Sequence, residues 1–160
     1  MGACLAEYGR KVLLVDLDPQ GALSAGLGLT HDDIEDTIYD VMLDSHTSIH
    51  SAIQHTGVAG LDLVPANIDL SAAEIQMVNE VGREHTLARA LRPVRRDYDF
   101  IIIDCQPSLG LLTVNALACS QGVIIPMECE FFSLRGLALL TDTVEKVSDR
   151  INFDLEVMGI

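Results

Sequence analysis

Apolar residues gather in five short runs along the 160-residue chain, and segments with helical periodicity separate these runs. Each run has the length of a strand and shows almost no alternation of apolar and polar residues, which is typical of strands buried on both faces. The runs cover residues 11–16, 61–66, 99–104, 122–127 and 155–160. This order predicts an α/β fold, in which a mostly parallel sheet is flanked by helices.

The clearest helix is predicted for residues 133–150, where Ser133 stands at the position of an N-cap. Its apolar residues recur at intervals of three and four and form one face. They are Leu134, Leu137, Leu140, Val144 and Val147. Two shorter amphipathic helices are predicted within 32–43 and 48–55. No low-complexity linker interrupts the pattern, so residues 1–160 are expected to belong to one domain.

Charge and composition narrow the classes of function. The chain has 24 acidic and 10 basic residues, for a formal net charge of −14. Such a charge repels nucleic-acid backbones and anionic membranes, so any contact with nucleic acid would need a local basic surface. No apolar run approaches the roughly 18 to 20 residues of a membrane span, and the first residues do not resemble a signal peptide. Four cysteines without a C-x-x-C pair favour reduced thiols. A cytoplasmic protein that does not bind membranes is expected.

The residues that follow the predicted strands suggest a binding edge. Ligands of open parallel sheets bind beyond the carboxyl ends of the strands. The polar residues expected there are Asp16, Asp18, Gln20, Asn67, Asp69, Asp104, Gln106, Ser108, Glu128 and Glu130. An edge rich in carboxylates and poor in basic residues suits a divalent cation that carries phosphates. The alternative is that each acid only caps a helix or shapes a turn.

Three short motifs favour a nucleotide-binding site at this edge. The stretch "FIIID" at 100–104 matches a Walker B strand, in which the terminal acid faces magnesium at a nucleotide's phosphates. It is joined by "DLDPQG" at 16–21 and "CQPS" at 105–108. With these motifs the chain resembles ParA/Soj-type chromosome or plasmid partitioning ATPases, which belong with MinD to the deviant Walker A class of P-loop NTPases. The resemblance extends over 10–28, 63–74, 97–117 and 122–137.

The resemblance implies ATP and Mg²⁺ as cofactors and gives roles to individual residues. Asp18 would position the water that attacks the terminal phosphate, and Asp104 would hold magnesium through water. Asp16 would support the magnesium shell or orient its neighbours, and Gln20 would lie at the nucleotide. Pro107 and Ser108 would belong to the switch segment that senses the terminal phosphate. Glu128 and Glu130 would lie near the nucleotide or a partner subunit, or at a helix entry.

The resemblance also implies what the sequence lacks. Family members carry a phosphate-binding loop of the form K-G-G-V-G-K-T-T, and no G-x-x-x-x-G-K-[ST] occurs in this sequence. The chain is therefore expected to be a partial domain that does not hydrolyse ATP alone, and "FIIID" is expected to have an unpaired edge. The family's homodimer, ParB-like partner, non-specific DNA binding and nucleoid association are expected of a full-length member. A non-catalytic interaction fragment and a MinD-like membrane-associated ATPase are the alternatives.

Overall fold

The strands and helices follow the predicted α/β order. A computed structural model describes residues 1–30, 34–106, 108–127 and 133–160, except the side chains of 133–135. The strands are β1 (Val12–Leu17), β2 (Gln54–His55), β3 (Leu61–Val64), β4 (Phe100–Cys105), β5 (Gly122–Ile124) and β6 (Glu156–Gly159). The helices are α1 (Gly2–Glu7), α2 (Ala22–Gly26), α3 (Ile38–Leu43), α4 (Ile49–Ala52), α5 (Leu70–Gln76), α6 (Thr86–Leu91), α7 (Leu111–Cys119) and α8 (Ser133–Arg150). Short 3₁₀ turns occupy Met77–Asn79 and Arg83–His85.

Four strands form the main sheet in the order β2-β3-β1-β4. Strand β1 pairs in parallel with β3 on one side and β4 on the other, while β2 joins β3 antiparallel. Strands β5 and β6 form a separate parallel pair. The predicted mostly parallel α/β architecture is confirmed.

The core lies on both faces of β1, all of whose residues are buried. Successive side chains of a strand point to opposite faces, so its apolar residues divide between two clusters. Leu13, Val15 and Leu17 pack in a cluster that includes residues of α3, α5, α6 and α7. Val12 and Leu14 pack in the other, with residues of α1 and β3. An uninterrupted apolar run is what a central strand covered on both sides requires.

The predicted helix over 133–150 is confirmed as α8, which buries Val144 and Val147 against α7 and the chain before β6. The Ser133 cap and the packing of Leu134 concern side chains outside the described residues.

Three expectations about the elements were wrong. Helix α3 begins at Ile38 rather than near residue 32, because Thr37 and Asp40 form a capping box that starts the helix there. Residues 54–55 leave the predicted helix and form β2, which pairs with β3. Strand β4 is not buried on both faces: Phe100 and Asp104 are exposed. Within the described residues β4 is the last strand of its sheet, so its outer edge is unpaired.

Candidate active site at the carboxyl edge of the sheet

Three of the polar residues expected at one edge, Asp16, Asp18 and Asp104, meet there because β1 and β4 run parallel side by side. In the register of β1 and β4, Asp16 stands opposite Asp104. Neighbouring strands are about 4.8 Å apart, so these two carboxylates share one end of the sheet. Asp18 lies just beyond the end of β1, and the charges of Asp16 and Asp18 both act on Asp104. Three acids from two motifs that are more than 80 residues apart therefore form one cluster.

Asp16 is the inner member of this cluster and is fully buried. Its Oδ2 accepts hydrogen bonds from the Ser24 backbone N–H at 2.9 Å and from the Ser24 hydroxyl at 2.7 Å. Its Oδ1 accepts the Asp18 N–H at 3.2 Å. A buried charge needs such partners, because the transfer of an unpaired carboxylate out of water is costly. Both oxygens of Asp16 are thus occupied by groups of the chain itself.

Asp18 lies on the turn between β1 and α2 and is half-buried. Its Oδ1 accepts the Gln20 N–H at 2.9 Å, and its carbonyl accepts the Gly21 N–H at 2.9 Å. Among the described residues, no hydrogen bond reaches Oδ2 of Asp18, so this oxygen can accept a proton or a hydrogen bond from a ligand or water. The turn fixes the backbone of Asp18 and leaves one carboxylate oxygen available.

Gly21 completes this turn in the left-handed region, with φ 62°. A Cβ atom at this position would lie 3.3 Å from the carbonyl oxygen of Ala66, which follows β3. Both the positive φ and the close backbone approach favour glycine here.

Asp104 is the penultimate residue of β4, the Walker B-like strand, and is exposed. Partial burial, followed by the charges of Asp16 and Asp18, raises the pKa of the Asp104 carboxyl. A cation beside Asp104 would relieve this repulsion, so Asp104 fits a magnesium ion held directly or through water. Asp16 is buried and both of its oxygens accept hydrogen bonds from the chain, and its predicted support of the magnesium shell stays a prediction. Among the described residues no group of three His, Cys, Asp or Glu side chains is arranged to hold a metal ion.

The other predicted site residues that the structure describes, Gln20 and Ser108, are exposed. Gln20 lies at the turn after Asp18, and Ser108 lies in the segment after β4. The carbonyl of Ser108 accepts the Thr113 hydroxyl at 2.6 Å, which ties this segment to the first turn of α7. Pro107, Glu128 and Glu130 lie outside the described residues, so their predicted roles remain predictions.

The sequence patterns did not indicate a role for two residues at this edge. Ser24 is buried and bonds Asp16, and Glu74 accepts the Leu112 N–H at 3.1 Å at the start of α7. Ser24 contacts a buried carboxylate, and Glu74 contacts a residue that is distant in sequence. The periodicity of apolar residues does not reveal such contacts. The weak signal for Ser24 is its small hydroxyl side chain one turn into a helix that follows a strand-ending acid.

In the part of the chain that the structure describes, no helix combines the length and apolar character needed to cross a membrane.

Comparisons with known proteins agree with the motifs. A family model described as an AAA domain, AAA_31, matches residues 1–157. A protein of Mycobacterium tuberculosis is 68% identical over the whole chain, which covers 50% of that protein. The chromosome-partitioning ATPase Soj of Treponema pallidum is 48% identical over the whole chain, which covers 62% of it. The chain thus spans between half and two thirds of the length of these relatives.

A solved structure has the same fold. It is titled cobyrinic acid a,c-diamide synthase from Mycobacterium smegmatis with bound ADP and magnesium. The similarity has a TM-score of 0.94 at 41% identity and covers 99% of this chain and 64% of that one. The predicted P-loop NTPase-like fold and the resemblance to ParA/Soj-type ATPases are confirmed, and the chain belongs to the AAA_31 family of AAA domains.

Proposed function

We propose that the protein works as a ParA/Soj-type partitioning ATPase, which binds ATP with Mg²⁺ and hydrolyses it at the carboxyl edge of the sheet. The observation that carries this proposal is the cluster of Asp18 and Asp104 at the ends of adjacent parallel strands. Phosphoryl transfer depends mainly on positioning and on neutralising charge. One carboxylate for the attacking water and one for the cation are the groups that such chemistry needs from these strands.

The two carboxylates differ in ways that suit the two roles. Asp18 has a fixed backbone, and its Oδ2 accepts no hydrogen bond from the described residues, so it would orient the attacking water. Asp104 is exposed and repelled by two neighbouring carboxylates, so it would hold the magnesium side. Bound magnesium would neutralise charge on the phosphate oxygens. Gln20, Pro107 and Ser108 would contact the nucleotide, and residues 1–160 would form part of one nucleotide-hydrolase domain.

The partners follow from the same proposal. ATP binding would close a homodimer that binds DNA non-specifically, and a ParB-like protein would stimulate hydrolysis, which would bring the protein to the nucleoid. The support is the similarity to a relative named as a chromosome-partitioning ATPase. The fold by itself does not determine the activity, because the similar solved structure carries the name of a synthase.

The test uses the intact protein, because the chain covers only part of its relatives. We expect saturable Mg-ATP binding, ATP-dependent dimerisation measured by light scattering, and ATP-dependent retention of duplex DNA of unrelated sequence. Asp142→Asn is the control, because Asp142 is exposed on α8, where it pairs with Lys146. Mg-ATP binding without DNA retention or dimerisation would refute the partitioning role, and absence of Mg-ATP binding would favour a non-catalytic interaction protein. Binding to anionic vesicles with ATP, without DNA retention, would favour the MinD-like alternative.

A further inference from the structure

The Ser24 side chain lies between the ends of two strands and bonds to both. Ser24 is on α2 and is 3% exposed. Its hydroxyl donates to Asp16 Oδ2 at 2.7 Å and accepts the Ala66 N–H at 3.3 Å. Asp16 belongs to β1, and Ala66 follows β3. A single hydroxyl thereby joins the exits of two adjacent parallel strands.

The network continues to the predicted catalytic carboxylate. Asp16 Oδ1 accepts the Asp18 N–H, so hydrogen bonds run from Ala66 through Ser24 and Asp16 to the backbone of Asp18. The Ser24 N–H donates to the same Asp16 oxygen as its hydroxyl, which leaves the carboxylate little freedom to rotate. The carboxylate of Asp16 therefore links Ser24 to the backbone of Asp18.

The same turn also passes close to the same strand exit. Gly21, three residues before Ser24, lies close enough to the Ala66 carbonyl that a Cβ atom would be 3.3 Å from its oxygen. The turn that carries Asp18 therefore packs closely against the residue that bonds the Ser24 hydroxyl.

We propose that Ser24 is a positioning residue for the reaction: its hydroxyl orients Asp16, and Asp16 holds the backbone of Asp18 so that the Asp18 carboxylate meets the attacking water. The proposal rests on the proposed function, because it assigns Asp18 the role given there. A misplacement of about 1 Å costs roughly 100-fold in rate when a reacting group must be aligned. Ser24 does not contact the nucleotide in this account, so its loss changes turnover and leaves nucleotide affinity unchanged.

The first test is the kinetics of ATP hydrolysis by the intact protein. Ser24→Ala and Ser24→Cys both remove the strong hydroxyl bond, and cysteine keeps the shape of the side chain if the alanine variant folds poorly. We expect kcat to fall about 10- to 100-fold with KM for Mg-ATP within about 2-fold of the wild type. Thr86→Ala is the control, because Thr86 is a buried residue of α6 whose hydroxyl accepts a hydrogen bond from Arg89 of the same helix. Its kcat should stay at the wild-type value.

A double variant separates positioning from a general loss of structure. If Ser24 acts through Asp18, adding Ser24→Ala to Asp18→Asn should lower the residual single-turnover rate by less than about 2-fold. Additive losses, an unchanged kcat in Ser24→Ala, or an increase in KM equal to the decrease in kcat would each overturn the proposal.

The second test does not need hydrolysis. The Asp18 amide proton is bonded to Asp16, so its exchange with deuterium, followed by NMR, should be protected in the wild type and in Thr86→Ala. Ser24→Ala and Ser24→Cys should exchange it at least about 10-fold faster, while the amides of β1 keep their protection. If the wild type hydrolyses no ATP, the proposed function fails and this exchange rate alone decides on Ser24. Unchanged protection of the Asp18 amide overturns the positioning role in either case.

Discussion

Replacing Asp16 by asparagine removes the buried charge that joins β1 to α2 while keeping the size of the side chain. The carboxylate accepts three hydrogen bonds, two from Ser24 and one from Asp18. The amide of asparagine has one acceptor oxygen, so its NH₂ group must face either the Ser24 donors or the Asp18 N–H. Bonds to a charged acceptor contribute about 1.5–3 kcal/mol each, and one of the donor groups is left unsatisfied. We therefore expect Asp16→Asn to lower the free energy of unfolding by about 2–4 kcal/mol.

Urea unfolding of the intact protein, followed by circular dichroism, measures this loss as a shift of the midpoint at constant slope. Asp18→Asn is the matched control, because it makes the same chemical change two residues away at a half-buried carboxylate. Its free energy of unfolding should stay within about 0.5 kcal/mol of the wild type.

A double-mutant cycle with Ser24→Ala assigns the loss to the bonds between Asp16 and Ser24. Ser24→Ala removes the hydroxyl bond to Asp16 and keeps the backbone N–H bond, so the coupling energy should be that of one bond to a charged acceptor, about 1.5–3 kcal/mol. The reasoning is refuted if Asp16→Asn costs less than about 1 kcal/mol, or if the two variants are additive, because a fully buried carboxylate would then be stabilised by something else.

Two further predictions concern the same edge of the sheet. The raised pKa of Asp104 means that, from pH 3.8 up to its folded-state pKa, the folded chain binds a proton that the unfolded chain has lost, so this group makes stability fall as pH rises. Asp104→Asn should therefore be more stable than the wild type at pH 7 without magnesium, by less than about 1 kcal/mol because the group is exposed. The difference in the free energy of unfolding should vanish below pH 3.8. Urea unfolding at a series of pH values checks this prediction, and a difference that does not depend on pH contradicts it. Gly21→Ala should cost about 1–3 kcal/mol, because alanine is strained at φ 62° and meets the Ala66 carbonyl. Gly26→Ala, with nothing within 4 Å of the added methyl, should be neutral or stabilising in the same measurement, and equal costs at the two glycines would contradict the account of the turn.

The elements that the sequence predicts best are those whose signal is local. Strand β1 is a continuous apolar run that the fold buries on both faces, and α8 follows a helical repeat of apolar residues. The meeting of Asp16, Asp18 and Asp104 was predicted from the rule that parallel strands share their carboxyl edge. These inferences need only the order of elements and general chain geometry.

The elements that sequence reasoning missed depend on tertiary contacts. Residues 54–55 continue a helical pattern, yet β2 forms because β3 offers an edge to it, and the His55 ring and Asp62 carboxylate lie 2.7 Å apart across the pair. The exposure of Phe100 depends on which strands surround β4, and the run of apolar residues does not contain that information.

The same limit applies inside the site. Asp16 and Asp18 are one residue apart and chemically identical, but one is fully buried and the other half-buried. Asp16 lies inside β1, between two neighbouring strands, and is bonded by Ser24 from eight positions along the chain, whereas Asp18 lies beyond the end of the strand. These surroundings form only on folding, so the sequence predicts a pair of acids without distinguishing their environments.

In the proposed function, Asp18 acts on the attacking water at a magnesium-nucleotide site on this edge of the sheet. The most direct measurement is the steady-state rate of ATP hydrolysis by the intact protein and its Asp18→Asn variant, with Mg-ATP affinity measured in parallel. The account predicts a kcat about 100- to 10,000-fold lower in the variant, with Mg-ATP affinity retained. Hydrolysis at the wild-type rate by Asp18→Asn, or equal losses of affinity and rate, would contradict it.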